Sequence, residues 1–536
     1  MEKNRVKTKS FIIISIILII GIIAYQYSVN LNINNQPPSN KWGKGKFLDQ
    51  AYISATPAII KEDKNYIIAY NDKNKLKILV IDYLGHKKKE KSLGIKANSI
   101  NGIILVKDKE NNFYIEYVGK HSNSNSSERI KLDKKFNIIK RENIGELREL
   151  KQINDNMILR TYEDSVEFID IKTGNKKSIK VPSAGGISGI DYNGKYVICY
   201  TGQEVQEVTQ MCTFYENGEF SHSRDLFNMI VRFGQVTPET KFAVEGGIMY
   251  FFVPKTGGDI VYQIPIDNIP KNKDEFKYKF KELKFPGIGL KKINSANCIN
   301  GKAKILVEGR RIFGINKEQD DVMEYRLSNG KYEQEGILSK SKQLSTFANI
   351  CGEIGIYCDF QAKSDEGFEC PYNLYMTSTN EQYKKENNKL KKFEKSMSLQ
   401  ETVTGVTYSI ISILLIGAAW IFPGLTLMGI FTLLLSRFSD KQRKGIYIGV
   451  LVVTTFIKVL SMYVSVYKNS FMFLPKELVS PMVGVFILVC ISLFCYVYSY
   501  LFYREFTEDL PVAKYLPFLV MDTFISVLIF SPYIIN

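Results

Sequence analysis

The sequence predicts a membrane-anchored all-β domain followed by a bundle of transmembrane helices. Three observations predict it. One apolar run, Phe11–Tyr25, follows a basic N-terminus. Residues 47–376 are a succession of short β-branched and aromatic runs separated by polar turns. The C-terminal quarter is nearly free of charge and holds four long apolar runs.

A chain of 536 residues is long enough for two or three domains. Its 71 basic and 55 acidic residues leave a net charge of +16, and the middle of the chain, residues 26–400, carries +11 of it. Such an excess favours anionic partners, such as wall polymers or lipid headgroups. An AT-rich genome, which encodes much Lys, Asn and Ile, produces the same excess.

The anchor comes first. Lys3, Arg5, Lys7 and Lys9 precede Phe11–Tyr25. A cleaved signal peptide needs small residues at its end, and Ala24-Tyr25-Gln26 is a poor site. The expectation is a retained signal-anchor: 1–10 cytoplasmic, 11–25 spanning, 26–46 a linker stiffened by Pro37-Pro38.

The β domain is expected over 47–377. Tyr66-Ile67-Ile68-Ala69-Tyr70, Tyr196-Val197-Ile198-Cys199-Tyr200 and Met249-Tyr250-Phe251-Phe252-Val253 represent its strands. Five Asn-Gly pairs, at 101, 193, 217, 300 and 329, suit two-residue hairpin turns that need positive φ. A loose unit recurs in Ile67–Lys88, Ile103–Lys131, Met157–Lys180 and Gly247–Ile266. It is an apolar strand, a turn, a strand ending in an acid, then a Lys-rich strand.

A spacing of about 35–50 residues suits four-stranded blades, and about 45 residues per blade gives about seven. In pattern the domain resembles the β-propeller superfold, without the Trp-Asp signature of one propeller class. Serial β-sandwiches are the alternative.

Residues 378–403 read as an amphipathic juxtamembrane helix, with Tyr383, Leu390, Phe393 and Met397 at helical spacing among lysines. Its lysines are placed for anionic headgroups. Residues 404–536 are expected to form four spans: Thr404–Leu435, Ile446–Tyr467, Met482–Tyr503 and Tyr515–Ile535. The first, roughly 48 Å as a helix, is either one kinked span or a hairpin broken at Pro423-Gly424. One span puts ten basic residues of the termini and short loops inside and two outside, whereas a hairpin gives six and six. The single span is therefore preferred. The N-terminus and residues 437–444 are then cytoplasmic and the β domain extracytoplasmic, in a multi-pass protein of the bacterial cell envelope.

Candidate site residues are few. Lys458 falls mid-span and Asp522 lies inside the last span. A lone charge at a helix centre costs roughly 2.5–3.5 kcal/mol on insertion scales, so such residues face a partner or a cavity. They are expected to form an intramembrane polar pair. Cys199, Cys212, Cys298, Cys351, Cys358 and Cys370 are candidate disulfide cysteines, with fifteen pairings open. Among these Cys199–Cys212 is attractive, and Cys351–Cys358 competes with Cys358–Cys370. His86, His121 and His222 stand far apart and lack metal-ligand spacing. Ser328-Asn329-Gly330-Lys331 matches a serine–x–x–lysine string but reads as a hairpin turn, and Gly185-Gly186-Ile187-Ser188-Gly189 reads as a loop. No catalytic residue, metal site or cofactor is assigned.

The leading expectation of function is an extracytoplasmic binding, sensory or assembly scaffold. Its partners would be membrane lipids, an anionic envelope ligand and, for any signalling, a membrane or cytoplasmic protein. Nucleic acid is not expected. Alternatives are a subunit of a membrane transporter or membrane-embedded enzyme, and an envelope-polymer enzyme that needs clustered carboxylates.

Overall fold

The computed structural model describes residues 2–533 except 96, 98, 121–124, 205–206, 231–240, 254–259, 270–280, 284–289, 300–301, 313–317, 329–330, 341–343, 361–370, 469–473 and 504–510. Two compact units emerge. One comprises Pro37–Arg311 and Gln319–Asn388, and the other contains Met1–Gln36 and Lys389–Asn536.

The first unit is a seven-bladed β-propeller. The chain enters through β1 (Lys46–Ala51), which belongs to the last blade. Blade 1 holds β2 (Ala58–Glu62), β3 (Asn65–Asp72), β4 (Lys75–Asp82) and β5 (Lys87–Gly94). Blade 2 holds β6 (Ser99–Lys107), β7 (Phe113–Lys120), β8 (Asn125–Leu132) and β9 (Ile138–Gly145). Blade 3 holds β10 (Glu149–Gln152), β11 (Met157–Thr161), β12 (Ser165–Asp170) and β13 (Lys176–Lys180). Blade 4 holds β14 (Gly185–Tyr192), β15 (Lys195–Glu204), β16 (Glu207–Glu216), β17 (Glu219–Phe220) and β18 (Arg224–Ile230). Blade 5 holds β19 (Lys241–Glu245), β20 (Ile248–Val253), β21 (Ile260–Pro265) and β22 (Lys281–Leu283). Blade 6 holds β23 (Leu290–Ile299), β24 (Lys302–Ile312), β25 (Glu318–Ser328) and β26 (Lys331–Ile337). Blade 7 joins β27 (Ser345–Cys351), β28 (Ile354–Phe360) and β29 (Tyr372–Ser378) to β1.

Each blade's first strand packs against the first strand of the next, and β27 packs against β2, so the ring closes. Strand pairing also interlocks the closure: β1 supplies the outermost strand of blade 7, pairing Lys46 with Met376 and Ala51 with Tyr372. A ring closed in this way leaves only short outer edges exposed. The cores lie between neighbouring blades. Ile60, Ile67 and Ile78 of blade 1 meet Leu105, Ile115 and Ile130 of blade 2.

The recurring unit of the sequence now has a physical meaning. Asp82, Asp133 and Asp170 end or follow the third strands of blades 1 to 3. Each carboxylate accepts backbone N–H groups in the turn that follows: Leu84 and His86, Lys135 and Asn137, Lys172 and Thr173. The Lys-rich strands that come next, β5, β9 and β13, are the outer edges. Charged side chains there block edge-to-edge pairing.

Asn193-Gly194 and Asn217-Gly218 form two-residue turns with positive φ at both positions. Asn101-Gly102 does not. It lies within β6, where the register shifts between Ile100 and Gly102, so this pair makes a bulge. The pairs at 300 and 329 lie outside the described residues. The Gly185–Gly189 run is no loop either. It is the innermost strand of blade 4, where the Glu149 carboxylate accepts the N–H groups of Gly186 and Ile187.

Residues 37–45 do not form a free linker. Trp42 is 1% exposed and packs with Leu306, Val322, Leu338 and Tyr357. The expected helix over 378–403 is two helices. In α2 (Glu381–Asn387), Asn380 caps the N-terminus, and the Tyr383 hydroxyl lies 2.8 and 2.9 Å from the carbonyls of Lys44 and Met376. The helix stops at Asn387-Asn388, a pair with low helical propensity.

The second unit holds α1 (Glu2–Asn35), α3 (Lys392–Leu433), α4 (Asp440–Met462), α5 (Pro481–Tyr503) and α6 (Pro511–Phe530). A π-type turn, Tyr463–Lys468, extends α4. All five helices are long and apolar enough to cross a membrane. α3 starts where the Glu394 carboxylate accepts the Lys391 N–H at 2.7 Å, and it runs unbroken through Pro423 for 42 residues, with no reversal there. α1 and α6 both pack on α3. Gly417 and Gly424 make the α3–α6 approach possible. A Cβ at Gly417 would stand 2.7 Å from Thr523, and one at Gly424 would strike the Tyr515 hydroxyl.

This unit has inverted polarity. Leu414, Leu415, Phe422, Leu433, Met482 and Phe486 point outward, with Leu433 and Met482 84% exposed. Ser409, Ser412, Thr454, Lys458, Ser492, Asp522 and Ser526 are buried.

A buried ammonium–carboxylate cluster as candidate functional site

Lys458 on α4 and Asp522 on α6 meet inside the helical unit, both fully buried. Lys458 Nζ lies 2.7 Å from Asp522 Oδ1, 2.7 Å from Ser492 Oγ, 3.0 Å from the Leu488 carbonyl and 3.3 Å from Ser526 Oγ. Leu488 and Ser492 stand four apart on α5, and Asp522 and Ser526 four apart on α6, so each helix presents both groups on one face. Ser492 Oγ donates to Asp522 Oδ1 at 2.8 Å. Asp522 Oδ2 is buried and has no hydrogen-bond partner among the described residues.

One turn earlier on α4, Thr454 Oγ1 donates to the Val450 carbonyl and lies 2.8 Å from the Tyr515 hydroxyl. Its single proton is used, so the tyrosine is the donor to it. Trp420 Nε1 donates to Thr523 Oγ1 at 2.9 Å. The walls are apolar, with Leu451, Met462, Leu488, Ile491 and Leu519 around the polar groups. Both charges are desolvated there, and their attraction is correspondingly strong. Lys458 and Asp522 stand out in the sequence by their isolation. Ser492 and Ser526 do not stand out there, although Ser526 follows Asp522 by four residues.

A second polar seam joins α1 to α3. Asn30 Nδ2 donates to Thr402 Oγ1 at 3.0 Å, and Asn34 Nδ2 to Ser398 Oγ at 2.9 Å and Glu401 Oε2 at 2.8 Å. Gln26, Asn30 and Asn34 repeat every four residues, which carries the helix past the expected end at Tyr25.

In the propeller, two groups of acidic side chains are held by bases. Glu116 takes Arg160 at 2.7 Å and Arg129 at 2.6 Å, and Arg160 also reaches Glu167 at 3.1 Å. Glu324 and Glu335 share Lys41 and Lys304 at 2.7 to 3.0 Å. Burial raises the Glu335 carboxyl, but the hydrogen bonds and charges of Lys41 and Lys304 outweigh it and hold it at about 2. Lys87, Lys88, Lys89, Lys140, Arg141, Lys176, Lys177 and Lys180 are exposed along the outer strands of blades 1 to 3.

Cys199, Cys212, Cys351 and Cys358 are free thiols. Cys199 and Cys212 face each other across β15 and β16. Burial, and then the neighbouring Cys212 thiol, push the Cys199 thiol well up, which keeps it protonated and unreactive. Cys351 opposes Ile354 and Cys358 opposes Thr346, so the register keeps these two apart. Cys370 and the Cys298 side chain lie outside the described residues, as does His121. His86 contacts Asp82 at 3.1 Å in its turn, and His222 lies between β17 and β18. Ser328 and Lys331 pair across a hairpin. Among the described residues, no group of three or more His, Cys, Asp or Glu side chains is placed to hold a metal ion.

No family model and no curated protein matches this chain. Among solved structures it is similar to the Pyrococcus horikoshii acylaminoacyl peptidase, at 12% identity and TM-score 0.34 over 60% of this chain and 50% of that one. It is also similar to a post-proline cleaving enzyme from Rickettsia typhi, at 10% identity and TM-score 0.36 over 63% and 52%. A luciferin-regenerating enzyme matches at 11% identity and TM-score 0.30 over 62% and 92%. The match spans about half the length of the two peptidases. At these scores the likeness assigns no activity to this chain.

Proposed function

We propose that this chain is a multi-pass membrane protein whose propeller, held outside the cytoplasm, serves as a binding, sensory or assembly scaffold. The inverted polarity of the helical unit carries the membrane reading. Outward leucines and phenylalanines around buried Lys, Asp and Ser suit a hydrocarbon solvent and are costly in water.

The ring suits recognition because the chain enters and leaves it at one blade. β1 and β29 are hydrogen-bonded neighbours, and Gly43 N–H donates to the Ser378 carbonyl at 3.0 Å. Both ends continue into long apolar helices, α1 and α3, and the other blades remain free of chain termini. The basic edges of blades 1 to 3 fit an anionic envelope polymer, and lipids would surround the helices.

The test uses an impermeant thiol reagent on intact cells, read against the unsubstituted chain. Lys177→Cys in the ring should label, and Ser439→Cys should label only after permeabilisation. The reverse pattern would overturn the orientation, and equal labelling in a soluble fraction would overturn the membrane reading.

The Lys458–Asp522 cluster favours a second reading, a subunit of a membrane transporter or membrane-embedded enzyme. Buried charges in membrane helices commonly mark ion or proton pathways.

A further inference from the structure

We propose that the oxygen cage around Lys458 Nζ is a binding site for a small monovalent cation, an alkali-metal or ammonium ion, which exchanges with the lysine proton. The reading is independent of what the ring binds.

The donor set is the first argument. One carboxylate, two hydroxyls and one backbone carbonyl converge on a single point at 2.7 to 3.3 Å. These are hard oxygen ligands, the class that takes hard cations. Two helices, α5 and α6, supply them, so the cage is a product of packing and not of one chain segment. A single carboxylate gives the cage one negative charge, which balances one positive charge and leaves a divalent ion uncompensated.

The fit of the present occupant is the second argument. An ammonium group has three N–H donors and here faces four oxygens, so one always lacks a hydrogen. A spherical ion has no such limit. Asp522 Oδ2 is also buried and unpartnered among the described residues, although carboxylates coordinate cations through one oxygen or both. An ion at this point can engage both oxygens.

Charge balance is the third. The resident state is an ammonium and a carboxylate, net zero. When the ion enters, an N–H bond of Lys458 breaks, the electron pair stays on Nζ, and the proton passes to a base in solution. The site then holds a cation, a carboxylate and a neutral amine, again net zero. An interior that penalises any net charge tolerates both states.

The test uses the purified full chain in detergent, weakly buffered at alkaline pH, with N-methylglucamine chloride replaced by sodium, potassium or ammonium chloride at constant ionic strength. Wild type should release about one proton per chain in a saturable manner, as cation binding displaces protons from its ligands. Asp522→Asn should release none. Which salt acts identifies the ion. A wild-type release no larger than that of Asp522→Asn overturns the proposal. Lys458→Met gives a second measurement on an emptied cage. Its unfolding midpoint should rise with the effective ion and not with N-methylglucamine, and adding Asp522→Asn should abolish that rise. An equal response to every salt, or none, also overturns the proposal. If Lys458→Met fails to accumulate, proton release from the wild type decides alone.

Discussion

Trp42 Nε1 donates to Glu324 Oε2 at 3.0 Å, joining residues 282 positions apart. The indole lies against Leu338 and Tyr357, while Lys41 beside it reaches Glu324 and Glu335. The segment ahead of β1 is thereby fastened to blades 6 and 7, where the ring is closed by strand pairing alone.

Trp42→Ala should destabilise the ring by about 3–5 kcal/mol, the usual cost of emptying a buried aromatic site. Trp42→Phe should cost less, because Lys41 and Lys304 still neutralise Glu324. Limited proteolysis of the full chain, read as cleavage between residues 46 and 378, measures the difference.

Arg160 and Glu116 tie blade 3 to blade 2 with almost no solvent contact. Arg160→Met should cost about 3–5 kcal/mol, because a buried carboxylate loses one of its two partners. Arg160→Met with Glu116→Gln should be milder than the sum of the two. A double-mutant comparison of unfolding midpoints reads the coupling.

Glu335 introduces a pH dependence. Its folded carboxyl titrates at about 2, below the ordinary value of 4.5. A depressed acid contributes stability that is complete above the unfolded value and lost as pH falls through the folded one. Stability from this group should decline between about pH 4.5 and 2 and be flat above. Asp49 and Asp82 are also held low, so wild type alone does not isolate the term. The difference between wild type and Glu335→Gln in thermal midpoint from pH 6 to 2.5 does. It should shrink toward low pH and remain modest, because the site is partly exposed.

Lys458→Met and Asp522→Asn should each lower membrane accumulation and stability in detergent, by about 3–5 kcal/mol for an orphaned buried charge. The double variant should be less impaired than the sum. Additive losses would show that the two act separately.

Much of this molecule was legible locally. Alternating β-branched runs, acid-ended third strands and Lys-rich edges are written in short windows, because each blade is built from neighbouring hairpins. The isolation of Lys458 and Asp522 in apolar sequence pointed to a pair for a similar reason, since hydrocarbon offers a charge no partner. Asn101-Gly102 misled because neither residue takes positive φ here: pairing with β7 places the dipeptide inside β6, at a register shift. Gln26, Asn30 and Asn34 fall in the segment that the sequence suggests is a linker, yet they lie on α1. The Leu528 carbonyl and the side chains of Thr402, Ser398 and Glu401, more than 360 residues away, make those amides compatible with a buried face.

The sequence by itself determined that this chain has an apolar N-terminal helix, a repeating β module of about seven blades and four further apolar helices. These are properties of composition and periodicity, and no distant contact is needed to read them. The tertiary structure decided the rest. It placed β1 on β29, buried Trp42 beside Glu324, and gathered Leu488, Ser492, Asp522 and Ser526 around one lysine nitrogen. Those arrangements depend on the register and rotation of elements that are distant in sequence, which side-chain packing sets and no local window contains.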